Sequence, residues 1–480
     1  MSPSLLSTLF SNLLSIVTIV LFFGGSIFVH ELGHFLAARR RGVKVDRFSI
    51  GFGPKIFSWT RDGVEYRLSW LPLGGYVALP QLADLSAIEG ETPEADRLPP
   101  VTYTTKMIVF VAGACFNVLF AFLLACVLWQ IGRPAPESLT TTQIGYVAPT
   151  LKLADGTEVP SPAAKAGLQI GDIIRRVDGR EVREWDEFKG ALVLGTEVTA
   201  GGGRTAVLTV ERSGQLKEIT VAPEKSGDEG FRAIGVSPAF TAIIDNVLPG
   251  SPGEKLGFKV GDRFTGYDGI KTVSFDQISR QLRLPLEHPL VLMVDRAGQA
   301  VELTVPATAK DQPHPLTGVQ ITTPYRLLHE TPGRQLYNIV DNTFRTIWSL
   351  VSPRGDLSVA NLSGPIGIGR GFWDAAQSDY PIRFAIWFAI LVNLNLAIFN
   401  LLPIPVLDGG QMLFATVGKL RGRALPINFI AATQSVFIVL LLSMILYVSF
   451  FDVRRWARDV RAETKEATDQ TKKAAEPAKP

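Results

Sequence analysis

Hydrophobic positions along this chain follow two rhythms. Four stretches are apolar almost without interruption, roughly 13–38, 107–131, 382–402 and 429–451. Each is long enough to cross a bilayer as a helix, which takes about 20 residues. Between the second and third stretches the rhythm changes to alternation. "AVLTVERSGQLKEITV" and "LVLMVDRAGQAVELTV" read as half-buried strand pairs with Gly-containing turns. A third alternating block runs from Phe48 to Leu79 around an Asp62–Gly63 turn, a hairpin signal. The pattern predicts a polytopic α-helical membrane protein. It has four transmembrane helices, a membrane-associated β-hairpin region, and two β-rich domains between the second and third spans.

The two domains are an internal repeat. "SPAAKAGLQIGDIIRRVDG" starts at Ser161 and "SPGEKLGFKVGDRFTGYDG" at Ser251. Ser-Pro, Lys, Gly, a Gly-Asp pair and a final Asp-Gly recur in both. The copies resemble PDZ domains, which bind extended peptides by strand addition; spacers or lids that bind nothing are the alternative. The expected layout is as follows: a first helix in 1–41, a cytoplasmic or re-entrant β region in 42–106, and a second helix in 107–131. PDZ-like domains occupy 138–226 and 230–308, and a linker follows in 309–381. The third span with its cytoplasmic loop lies in 382–426, the fourth in 427–451, and a disordered tail in 452–480. In the linker, Leu336, Ile339, Val340, Phe344, Ile347 and Trp348 share one helical face, suited to a membrane surface or to packing on the repeats.

Charge sets the orientation. Arg39, Arg40, Arg41 and Lys44 follow the first span, and Lys419, Arg421 and Arg423 lie between the third and fourth. Short basic loops stay in the cytoplasm. Both termini and the repeats are then expected on the outer side, with Arg454, Arg455 and Arg458 dissenting. A net charge of +3 gives no case for nucleic acid. The two cysteines, Cys115 and Cys126, would lie roughly 16 Å apart on one helix and cannot pair there. The first apolar stretch lacks a basic start and a small-residue cleavage site, so it reads as retained.

The first span ends in "IFVHELGHFL". An ionisable side chain at the bilayer centre costs on the order of 2.5–3.5 kcal/mol on insertion scales, and this helix carries three. H-E-x-x-H puts His30 and His34 one turn apart on one face with Glu31 beside them, two zinc ligands and a base. A polar patch satisfied by neighbouring helices is the alternative. A catalytic zinc usually takes three protein ligands. Asp408 in "NLLPIPVLDGG" is the candidate for the third, because Pro403 and Pro405 break the helix there and Gly409–Gly410 suggest an irregular turn. Non-helical backbone at membrane depth survives only around a buried or water-lined site. His288, His314 and His329 fall in the central region.

Taken together, "HELGH", "FSIGFGP", "LPLGGYV", "FVAGACFN", the PDZ-like pair, "LSGPIGI" and "NLLPIPVLDGG" occur in an order that resembles the site-2 protease family of intramembrane zinc proteases. The nearest likeness is the bacterial branch with tandem PDZ domains. The resemblance implies Zn2+ on His30, His34 and Asp408, with Glu31 catalytic. It implies substrate contacts at Asn400, Pro403, Pro405, Gly51, Gly53, Gly74 and Gly75. It also implies a bacterial inner-membrane location with the PDZ-like domains periplasmic, and single-pass membrane proteins as substrates, such as anti-sigma factors or signal-peptide remnants. Peptide termini are candidate partners of the PDZ-like domains, and the bilayer is a partner throughout. One departure is Gln411, where many members carry histidine. The rival functions are a catalytically silent membrane scaffold and a membrane metalloprotease acting on non-membrane substrates.

Overall fold

The computed structural model describes residues 12–82, 98–195, 203–227, 230–309, 312, 314–353, 355 and 357–475. The acidic loop Ala87–Asp96 lies outside them. The chain divides into two compact units. One comprises Met1–Pro134, Leu328–Phe344 and Leu362–Arg454; the other comprises Ala135–Leu327, Arg345–Asn361 and Arg455–Pro480. Four helices are long and apolar enough to cross a membrane: Asn12–Arg40, Tyr103–Ile131, Pro381–Asn400 and Ile427–Arg461.

In the first unit, helix α1 (Gly25–Arg40) follows a π-helical turn at Val20–Gly24. Strands β1 (Arg47–Arg61) and β2 (Val64–Ala78) meet at Asp62 and Gly63, both at positive φ (50° and 78°), as a tight hairpin turn requires. The hairpin folds back on itself. Ile50 pairs with Gly75 and also with Leu68, and Leu68 pairs with Phe57. Four runs therefore lie side by side, with 75–78 on one edge and 57–61 on the other. Phe57, Trp59 and Trp70 are exposed. Helix α2 (Tyr103–Ile131) starts at Thr102, whose hydroxyl accepts from Thr105 N–H, and stops at Gly132. It crosses α1 at small residues. A β-carbon on Gly33 would lie 2.5 Å from the Ala112 carbonyl oxygen, so only glycine permits this approach.

The second unit holds the repeat, and its two halves are built alike. The first half contains β3 (Ile144–Val147), α3 (Pro162–Lys165), β4 (Ile173–Val177), α4 (Trp185–Leu194), β5 (Ala206–Arg212), β6 (Gln215–Val221) and β7 (Val236–Pro238). The second contains β8 (Ile243–Val247), α5 (Pro252–Lys255), β9 (Arg263–Tyr267), α6 (Phe275–Gln281), β10 (Leu290–Arg296), β11 (Gln299–Val305) and β12 (Val319–Thr322). The Gly-Asp pair shows why the motif recurs. Asp172 receives Arg212 Nε and an Arg212 terminal nitrogen, both at 2.7 Å, and Asp262 receives the same pair from Arg296 at 2.7 Å. Each aspartate also accepts a backbone N–H at 2.9 Å, from Gln169 or Lys259.

The boundaries 138–226 and 230–308 need correction. Strand β7 pairs with β3 (Ser237 with Tyr146), and β12 pairs with β8 (Ile244 with Ile321). Ile234 belongs to the first core, and Leu316, Val319 and Ile321 pack against the second. Each half thus closes with a short strand beyond its last hairpin. The signal was a further repeat, Gly235-Val236 and Gly318-Val319. Both glycines sit at positive φ (81° and 84°), and a β-carbon on either would strike the Ser161 or Ser251 that caps α3 or α5. Strands this short are too brief to carry an alternating pattern.

The remaining elements of the first unit are α7 (Pro332–Val351), shared with the second, then α8 (Pro365–Gln377), α9 (Pro381–Asn400), α10 (Asp408–Leu420) and the start of α11 (Ile427–Ala475). Ala121, Ala125 and Leu128 of α2 pack with Ile386, Ile390 and Leu394 of α9. The supposed single face of α7 divides. Leu336, Ile339 and Val340 pack on that cluster, whereas Phe344 and Trp348 are exposed. A helical stripe of this width can serve two surroundings. The tail is also corrected: α11 runs unbroken to Ala475. Ala, Lys and Glu, which with proline read as a disorder composition, are equally strong helix formers, and no proline or glycine intervenes before Pro477.

Candidate metal centre

The spacing of four residues on α1 does what the helix period dictates. His30 and His34, each 8% exposed, present their Nε2 atoms 3.1 Å apart. Asp408 arrives from the other end of the chain as the first residue of α10. Its Oδ2 lies 3.3 Å from His30 Nε2 and 3.4 Å from His34 Nε2. Among the described residues this is the one group of three His, Cys, Asp or Glu side chains close enough to share an ion.

The triangle fits zinc. Ligand bonds of about 2.0–2.1 Å in tetrahedral geometry separate neighbouring ligand atoms by about 3.3–3.4 Å. Sides of 3.1, 3.3 and 3.4 Å make one face of such a tetrahedron. Asp408 Oδ2 is buried and has no hydrogen-bond partner among the described residues. His34 Nδ1 lies 2.8 Å from the Val109 carbonyl, which can only accept. The neutral ring therefore carries its proton on Nδ1 and a lone pair on Nε2. Lone pairs facing a carboxylate at this range repel unless a cation lies among them.

The backbone around Asp408 explains its placement. Helix α9 ends at Asn400, and the segment 401–407, with Pro403 and Pro405, turns tightly: Ile404 N–H donates to Leu402 O and Leu407 N–H to Ile404 O. Gly409 and Gly410 are not an irregular turn, as the sequence suggested. They form the first turn of α10, where β-carbons would lie 2.3 Å from Leu401 O and 2.1 Å from Ile404 O. The missing side chains let the helix start against the turn. Gln411, 1% exposed, donates its amide to Pro405 O at 3.3 Å and so braces that turn. Asn400 Nδ2 reaches to 3.3 Å from His30 Nε2.

Glu31 sits beside the sheet edge. A β-carbon on Gly75 would lie 2.9 Å from Glu31 Cγ and 2.9 Å from Ser49 O, so the backbone of β2 passes directly over this side chain. Gly74 precedes it in β2. Gly51 and Gly53 adopt φ of 86° and 85° and bend β1. The residue that sequence reasoning missed is Gly113 of α2. A β-carbon there would lie 2.4 Å from His34 Nε2 and 2.7 Å from His30 Cε1. The glycine of "FVAGACFN" lets both imidazoles, set edge to face, approach the backbone of α2.

Comparison with known proteins decides the family, because the model for peptidase family M50 matches residues 18–444. The chain belongs to peptidase family M50. It is a zinc metalloprotease of site-2 type. Protease RseP of Yersinia pestis is 31% identical over 472 residues, covering 92% of this chain and 99% of that protein. The regulator of sigma-E protease RseP of Escherichia coli is 28% identical over 475 residues, covering 92% and 99%. A relative in Neisseria meningitidis whose name includes "zinc metalloprotease" is 33% identical over 430 residues, covering 83% and 89%. In this M50 peptidase the family match spans both halves of the triangle, His30 with His34 and Asp408.

Proposed function

We propose that this peptidase hydrolyses peptide bonds within or near the membrane-spanning helix of single-pass proteins, with His30, His34 and Asp408 as zinc ligands and Glu31 as the general acid–base. The observation that carries the reading is the 3.1, 3.3 and 3.4 Å triangle at the end of an apolar helix. Zinc held by these three side chains would supply a Lewis acid for water and for a scissile carbonyl. Glu31 would be the residue that accepts a proton from the attacking water and returns it to the leaving amine. Asn400 would hold the substrate carbonyl or backbone, a role supported by its 3.3 Å approach to His30 Nε2.

A helical peptide bond is a poor substrate because its carbonyl is hydrogen-bonded and shielded, so the substrate must unwind. The edge run 75–78, which passes Glu31 at Gly75, offers a strand on which an unwound segment can pair. The exposed Phe57, Trp59 and Trp70 of the same hairpin suit a bilayer interface. Basic loops after the first and third spans put those loops in the cytoplasm, and the PDZ-like repeat on the periplasmic face of an inner membrane. A relative named regulator of sigma-E protease RseP agrees with the expectation that the substrates are single-pass regulators such as anti-sigma factors. The repeat then screens out substrates that keep a bulky outer domain, or receives a peptide terminus freed by an earlier cut.

The test is metal content and cleavage by the purified full chain. Glu31→Gln keeps zinc and loses turnover, since an amide cannot accept the proton. Asp408→Asn loses zinc and turnover together. Full zinc and normal cleavage in Asp408→Asn would place the third ligand elsewhere.

A further inference from the structure

Asn117 lies one turn beyond Gly113 on α2 and is fully buried, with 0% exposed. Its Nδ2 sits 3.3 Å from His30 Nδ1, while its Oδ1 has no hydrogen-bond partner among the described residues. A buried amide oxygen left unpaired is costly, because it has lost its water without gaining a donor. Rotating the amide by half a turn exchanges the two atoms and brings Oδ1 to the imidazole. The exchange has a chemical consequence. A neutral imidazole has one proton, and an NH2 group against Nδ1 drives it onto Nε2, the atom that faces His34 and Asp408. A carbonyl oxygen against Nδ1 holds the proton there and leaves Nε2 its lone pair.

The adjacent ring is already held in this way. His34 Nδ1 donates to the Val109 carbonyl at 2.8 Å. Val109, Gly113 and Asn117 are spaced by four, so they form one stripe of α2, and a β-carbon at the middle position would touch both rings. We propose that Asn117 is a positioning residue of the metal centre: its amide oxygen accepts from His30 Nδ1–H and fixes the tautomer and ring orientation in which Nε2 ligates zinc. α2 then anchors both imidazoles at Nδ1, one through a backbone carbonyl and one through a side-chain amide. Partners of this kind typically contribute 10–100-fold to metal affinity.

The proposal rests on the zinc reading of His30, His34 and Asp408. Zinc binding by the unmodified chain tests that reading, and the ratios among variants test this one. The experiment is competition for zinc between a chelator and the full-length protein in detergent, with the absorption spectrum of the cobalt(II) form as a report on ligand geometry. Asn117→Leu keeps the volume and removes the acceptor; Asn117→Asp keeps an acceptor and removes the donor. The expected result is a 10–100-fold loss of zinc affinity and an altered cobalt spectrum in Asn117→Leu, and affinity at least equal to that of the unmodified chain in Asn117→Asp. A packing role would give the reverse order, because leucine preserves packing and a buried carboxylate does not. Unchanged affinity in the leucine variant, or weakened affinity in the aspartate variant, overturns the proposal. Should the leucine variant fail to fold, the comparison of Asn117→Asp with the unmodified chain decides alone.

Discussion

Gly113→Ala adds one methyl group at the tightest point of the metal centre. The new carbon would stand 2.4 Å from His34 Nε2 and 2.8 Å from His34 Cε1, where an ordinary contact is 3.4–4 Å. The ring must therefore retreat by at least about 1 Å, which is half of a zinc–nitrogen bond. α2 cannot move away instead without disturbing its contact with α1 at Gly33, where a β-carbon would meet Ala112 O at 2.5 Å. A misplacement of this size costs about 10²-fold in rate, or about 2.7 kcal/mol. Alanine is the better helix former by about 1 kcal/mol, so α2 itself is not weakened. Zinc content after dialysis and cleavage of a single-pass substrate by the detergent-solubilised enzyme are the readouts. Gly25→Ala on α1 is the control, because no atom of the described residues lies within 4 Å of a β-carbon there. Zinc binding and cleavage in Gly113→Ala equal to those of the control would refute the claim that α2 backbone sets the position of the rings.

Gly75→Ala presses on Glu31 Cγ and on Ser49 O rather than on the ligands, so zinc should stay bound while cleavage falls; metal analysis beside a rate measurement separates it from Gly113→Ala. In the repeat, burial opposes ionisation of Asp262, but the Arg296 hydrogen bonds and the Lys259 N–H outweigh it and hold the carboxyl below its ordinary range. A carboxyl lowered on folding contributes stability that is complete above its unfolded pKa of about 3.9 and is lost as pH falls through the lower folded value. Asp262→Asn should thus destabilise the repeat by about 1–3 kcal/mol at neutral pH, a deficit that shrinks as denaturation curves are repeated below about pH 4; a constant deficit would contradict the pairing. Replacing 142–322 by a flexible linker should let the enzyme cut substrates that retain a bulky outer domain, read by comparing one substrate with and without that domain. If the shortened enzyme still refuses the intact substrate, the repeat is not the screen.

Half of the His30–His34–Asp408 group was legible because it is local. His30 and His34 share a face by helix period alone, with Glu31 beside them, and ionisable groups in an apolar helix demand a use. Asp408 could be named as their partner because prolines and glycines at membrane depth imply a site, but only the fold closes 3.3 Å across a separation of most of the chain. Sequence also carried the repeat, since Asp172 and Asp262, and Arg212 and Arg296 on the later hairpins, sit in copied stretches, though not that each aspartate pairs with its arginine. Short elements escaped it. Strands β7 and β12 are three and four residues long, too brief for periodicity, and were found through pairing. The tail showed the converse limit, for composition alone does not separate a solvated helix from a coil. What tertiary structure alone decided was contact between backbones. Gly113 against the imidazoles, Gly33 against Ala112 and Gly75 over Glu31 leave no pattern in hydropathy or charge, because a glycine's part is to leave room for what packs against it.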